Sequence, residues 1–190
     1  MGQRSEMDGA RFWTLIDDAR HEPGKPDELA ARLIDKLAAM DIESVLCWAQ
    51  IYDAYQQLSY KMKLWAAAYV INGGCSDDGF EYFRGWLISQ GQHIFLRALA
   101  DPDSLAEVDV RRNEAEYEDM LGVGSAAYFK KVGMAKGDYT AYTEACAKHP
   151  LGNNEQRALA ASIHFAQDID RKWSEGDLKK VVPRLYAKFG

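Results

Sequence analysis

The sequence predicts an all-α protein, a single compact multi-helix domain over residues 1–190, and three observations carry that expectation. Apolar residues recur at three- and four-residue steps rather than alternating. Capping residues, Pro and Gly punctuate those stretches. No internal repeat, low-complexity run or linker divides the chain. With 47% apolar and 27% charged residues, the composition is that of a globular protein and excludes disorder.

Phe12, Trp13, Ile16 and Ala19 form the inner stripe of a first helix, which Pro23-Gly24 stops. A second starts at Lys25-Pro26-Asp27-Glu28, where Pro suits the first turn and the acids complement the helix dipole. Its stripe is Leu29, Leu33, Leu37 and Met40. Asp41 caps a third, whose inner residues are Val45, Trp48, Tyr52 and Tyr55. Residues 61–71 are apolar on nearly all sides, which predicts a central helix with Trp65 in the core. Asn72-Gly73-Gly74 ends it.

Ser76 then caps a helix carrying Phe80, Phe83 and Leu87, with a break at Gly91 and a continuation that stops before Pro102. Further helices are expected over residues 113–131, over 138–148 with Asp138 as cap, and over 154–173 with Leu159, Ile163 and Ala166 inward. Pro183 divides a C-terminal pair of short turns. Residues 1–7 lie outside these patterns and are expected to be flexible.

The N-terminal residues Met1-Gly2-Gln3-Arg4-Ser5-Glu6 carry no apolar signal core and no myristoylation pattern, and no apolar run is long enough to span a bilayer. Cys47, Cys75 and Cys146 are odd in number and widely spaced, with no C-x-x-C pair and no zinc spacing. Cys47 and Cys146 read as small buried apolar residues, and the usage as that of the reducing cytoplasm. A net charge of −6 and scattered basic pairs exclude a nucleic-acid or membrane-surface partner.

One polar constellation stands out. The turn Asn72-Gly73-Gly74-Cys75-Ser76-Asp77-Asp78 is followed within two helical turns by Arg84-Gly85-Trp86. Ser76 and the two aspartates read first as a helix cap and second as one wall of a polar pocket. On the pocket reading the candidate binding residues are Asn72, Cys75, Ser76, Asp77, Asp78, Arg84 and Trp86, with Asp78 and Arg84 as a partly buried charge pair. Specific chemistries are disfavoured. The aspartates compete with phosphate for the helix amides and oppose thiolate formation at Cys75. Adjacent helical residues diverge by about 100°, too far to chelate Mg²⁺ together. His21, His93, His149 and His164 are isolated, and His164 with Asp168 is a spacing common on solvated faces. No metal and no cofactor are expected.

Glu114, Glu116, Glu118 and Asp119 read as a solvated face at a helix start. Their other readings are a docking surface for a basic partner and added carboxylates for the pocket. Two function classes follow. One is a non-catalytic interaction or regulatory module with a protein partner, either toxin-neutralising (immunity-type) or stress-linked. The alternative is an enzyme or small-molecule binder using the turn. An acid–Arg set without base, nucleophile or metal is incomplete chemistry, which favours the first.

The run from Trp65 through Asn72-Gly73-Gly74-Cys75-Ser76-Asp77-Asp78-Gly79-Phe80 to Phe83-Arg84-Gly85-Trp86-Leu87-Ile88 closely resembles the hallmark segment of a bacterial family known as domain of unknown function 4240. Phe12-Trp13, Leu15 and Ile16 near the start, and Trp173, Pro183, Arg184 and Leu185 near the end, resemble that family's ends. The resemblance implies a bacterial cytosolic protein and carries no activity with it.

Overall fold

The computed structural model describes residues 7–134 and 139–190. The expected flexible start, apart from Met7, and the expected cap Asp138 lie outside the described residues. Helical backbone, α and 3-10 together, accounts for 72% of the described residues, and no strand occurs among them. The chain is all-α, as its periodicity implies. Among the described residues no helix is long and apolar enough to cross a membrane.

The chain forms two compact units, each assembled from two separate stretches: Met1–Tyr55 with Asp119–Leu159, and Gln56–Glu118 with Ala160–Gly190. The first contains α1 (Gly9–His21), α2 (Leu29–Ala38), α3 (Ile42–Leu58) as far as Tyr55, α7 (Val123–Val132), α8 (Tyr139–Lys148) and α9 (Asn153–Ala161) as far as Leu159. Asp8 caps α1 by accepting from the Arg11 amide at 2.8 Å, and Asp41 caps α3 by accepting from the Ser44 amide at 2.8 Å. Phe12 stacks on Trp48 at 5.1 Å, and the Trp13 indole donates to the Tyr55 hydroxyl at 3.0 Å. A methyl group on Gly124 would sit 2.6 Å from the Ala49 Cβ, so α7 approaches α3 only because residue 124 has no side chain. The irregular stretch 149–151 is gripped by side chains: Gln50 donates to the His149 carbonyl at 2.6 Å and accepts from the Leu151 amide at 2.7 Å, and Gln156 donates to the Leu151 carbonyl at 3.2 Å.

The second unit is built on α4 (Met62–Asn72), which buries Leu64, Ala66, Ala67, Ala68, Val70 and Ile71. Around it pack α5 (Asp77–Ser89), α10 (Leu178–Val181), α11 (Pro183–Phe189) and the 3-10 turn Pro102–Glu107, which also holds α6 (Gln92–Ala100). The segment that is apolar on nearly all sides is therefore central, as predicted. Asp103, nearly buried, accepts from the amides of Arg184 and Leu185 at 3.0 and 2.9 Å and fastens the start of α11.

Two expected helices are shorter than their sequence patterns. Residues 113–117 are not helical: Asn113 adopts a left-handed φ of 63°, and helical backbone resumes only at Glu118. The predicted helix over 154–173 ends at Ala161. Beyond it, backbone bonds run to other elements, from Ala166 to the Leu99 carbonyl at 3.0 Å and from Lys63 to the Ile169 carbonyl at 2.8 Å. Trp65, expected in the core, is half-buried. All three cysteines are unbridged and half-buried, so Cys47 and Cys146 are less enclosed than expected.

Candidate functional site

All the candidate binding residues lie in the second unit. Helix α4 ends because Gly73 takes φ 68°, a left-handed conformation that costs a side-chain-bearing residue strain, and its amide bonds back to the Tyr69 carbonyl. Ser76 restarts the helix: its hydroxyl accepts from the Gly79 amide at 3.1 Å. Asp77 and Asp78 occupy the first turn of α5 and are exposed, where their side chains complement the helix dipole.

The expected Asp78–Arg84 ion pair is not made. Asp78 points to solvent, whereas Arg84 is only 7% exposed. Its Nη1 donates to the Gln56 carbonyl at 2.6 Å and its Nε to the Phe80 carbonyl at 3.2 Å. The guanidinium lies over the Phe80 ring at 4.9 Å and the Tyr60 ring at 5.1 Å. The choice follows from the rings: an aromatic face and two carbonyls replace water around a cation better than one solvated carboxylate does.

Trp65 stacks on Phe80 at 4.8 Å, and its indole donates to the Cys75 carbonyl at 3.0 Å. Trp86 is buried beside Phe83, its ring centroid 5.4 Å away. It serves packing rather than the exposed turn. The Cys75 thiol is pushed up to about 12, first by burial and then by the negative charge of Glu116. At neutral pH it is a protonated thiol, unsuited to nucleophilic attack.

The structure joins the turn to the acidic stretch. Asn72 donates its amide to the Ala115 carbonyl and accepts from the Ala115 amide, both at 3.2 Å. Held in this way, residues 111–117 carry Glu116 to the first turn of α5. A Cβ built on Gly79 would lie 3.3 Å from a Glu116 carboxylate oxygen and equally close to Ser76 Oγ. Tyr82, one turn further, is shifted upward chiefly by the charge of Glu118, then by burial and by Asp78.

Asp77, Asp78, Glu81, Glu116 and Glu118 are all exposed around this end of α5. Glu114 is exposed beside Arg111, 3.7 Å away. Asp119 is exposed too and belongs to the other unit. Added carboxylates for the pocket are one reading of the acidic stretch, and Glu116 is the member that reaches the turn. Gly79, a glycine inside the first turn of a helix, was the available signal that something approaches closely there.

Among the described residues no three His, Cys, Asp or Glu side chains come together as a metal site. His164 and Asp168 do not share a helix face, because the chain there is irregular and Asp168 pairs with Lys63. A family model described as "Protein of unknown function (DUF4240)" matches residues 7–130. Trp173, Pro183, Arg184 and Leu185 fall outside that match. No curated protein and no solved structure matches the chain.

Proposed function

The chain belongs to the DUF4240 family of proteins of unknown function, and from that premise we propose that it is a non-catalytic interaction module which docks a basic protein partner on the acidic end of α5. The observation that carries this reading is the gathering of Glu116 and Glu118 from one segment with Asp77, Asp78 and Glu81 from another, all exposed. Like charges on neighbouring elements repel, and a cationic partner relieves that repulsion on docking. Electrostatic attraction of this kind accelerates encounter and selects the sign of the partner.

The alternative, an enzyme or small-molecule binder using Asp77, Asp78 and Arg84 at the turn, would need Arg84 as its cation, and a thiol nucleophile would need an ionised Cys75. Arg84 is turned inward onto Gln56 and Phe80, and Cys75 is held protonated. A small basic toxin would give the acidic face an immunity-type role, and a stress-linked regulator would use it in the same manner. The proposed setting is the bacterial cytoplasm, in keeping with three unbridged thiols.

The test is binding of a fluorescently labelled arginine–lysine peptide, read by anisotropy at low and high salt. The Asp77→Asn/Asp78→Asn double variant should bind about three- to tenfold more weakly. An Asp18→Asn/Glu144→Gln control, with the same change in net charge on exposed positions of the other unit, should bind like the parent. Equal losses in the two double variants would mean that the peptide senses only net charge, and the docking face would be abandoned.

A further inference from the structure

Residues 111–117 have no regular structure, yet they are tacked down at three points along their length. At one end the Asn113 amide donates to the Ile71 carbonyl at 3.2 Å, and at the other the Tyr117 amide donates to the Tyr82 carbonyl at 3.0 Å. Between these two points the fastening is the Asn72 side chain, which makes both of its bonds to Ala115. A carboxamide is suited to this task because it donates and accepts at once, matching the donor and acceptor of one backbone residue. The segment also rests on the turn itself: a Cβ on Gly73 would lie 3.4 Å from Asn113 Oδ1.

We infer that residues 111–117 form a latched strap, that Asn72 is its latch, and that releasing it lifts Glu116 away from the first turn of α5 and opens Cys75 to solvent. Glu116 and Cys75 both border Gly79, at 3.3 and 3.8 Å from a Cβ built there, so lifting one bares the other. A short segment without regular structure, exposed except at Ala115 and half-buried at Tyr117, is the kind of element that opens locally while the rest of a fold stays closed. The strap deepens the docking reading, and rests on it only for the consequence to a partner. With the strap down, the acidic end of α5 carries Glu116; with it up, that carboxylate is withdrawn. A ligand that prefers the closed face then favours the closed strap.

Asn72→Asp tests the latch with almost no change of shape. The carboxylate still accepts from the Ala115 amide, but it loses the donor and sets a negative oxygen against the Ala115 carbonyl. Asn72→Ala removes both bonds without adding charge and serves if the first variant folds poorly. Two readouts need no partner: amide exchange resolved at Ala115 and Tyr117, and the iodoacetamide alkylation rate of Cys75, read by peptide mass spectrometry. In the variants both should rise about tenfold, the effect on a local opening of losing one or two hydrogen bonds. Exchange in the middle of α4 should stay at the parent rate.

Unchanged exchange at Ala115 together with unchanged alkylation would overturn the latch. So would an equal loss of protection through α4 and α5, which would make Asn72 a general support of the unit. If the strap opens as described while the basic peptide binds the variants as tightly as the parent, the latch stands. The docking reading then loses Glu116.

Discussion

Arg84 and Asp78 sit six residues apart on one helix, and the structure assigns them opposite fates under mutation. Arg84→Met keeps much of the side-chain volume and removes two hydrogen bonds from a charged donor, at 2.6 and 3.2 Å, together with two ring contacts near 5 Å. Charged hydrogen bonds contribute about 1.5–3 kcal/mol each and ring contacts about 0.5–1 kcal/mol each. Against these stands the desolvation of a cation that is only 7% exposed, which methionine no longer suffers. The balance is a loss of about 2–4 kcal/mol. For a chain of this length that lowers the melting temperature by about 5–15 °C. Asp78→Asn perturbs an exposed carboxylate whose main favourable interaction is with the helix dipole, and it should cost less than about 1 kcal/mol. Thermal melts followed by circular dichroism at 222 nm, run side by side, separate the two. If Asp78→Asn melts as low as Arg84→Met, the two residues act as a pair and the inward role of Arg84 is wrong. An Arg84→Met variant that melts with the parent would refute it as well.

Phe83 has no exposed surface and lies between Phe80 and Trp86, so Phe83→Ala should lower stability by about 3–5 kcal/mol, read from the urea midpoint. The Asp41 cap should be acid-labile. The Ser44 amide and hydroxyl hold its carboxyl below the ordinary value, so its contribution is complete above that ordinary value and fades as pH falls through the lowered one. Asp41→Ala should therefore lose about 0.5–2 kcal/mol relative to the parent at neutral pH, and the gap should close in strong acid. A gap that persists there would assign the effect to something other than the charged cap.

Local rules located the elements whose ends are chemically marked. Asp41, Gly73 and Ser76 each sit where the helix boundary requires a side-chain acceptor or a left-handed backbone, and the backbone obeys. The two overextended helices fail for a shared reason. Residues 113–117 and 162–173 have helix-compatible spacing, but their backbone groups are taken by partners distant in sequence: Asn72, Ile71 and Tyr82 in one case, Leu99 and Lys63 in the other. Periodicity registers apolar faces and does not register a polar side chain waiting elsewhere in the chain. The same limit applies to the site. The string from Asn72 to Arg84 drew attention to one turn, yet the inward rotation of Arg84 depended on Tyr60 and Gln56, which lie before α4. The recruitment of Glu116 depended on a contact across more than forty residues.

Gln50 illustrates how fastening and surface identity can be kept in separate hands. It holds 149–151 through the His149 carbonyl and the Leu151 amide, groups that every substitution at 149, and every one but proline at 151, leaves in place. The outward chemistry of that stretch can thus be rewritten without loosening its attachment, whereas a change at Gln50 removes both of those bonds whatever its side chains spell and leaves the Leu151 carbonyl to Gln156 alone. The prohibition on proline at 151 is then a rule of grammar rather than of vocabulary.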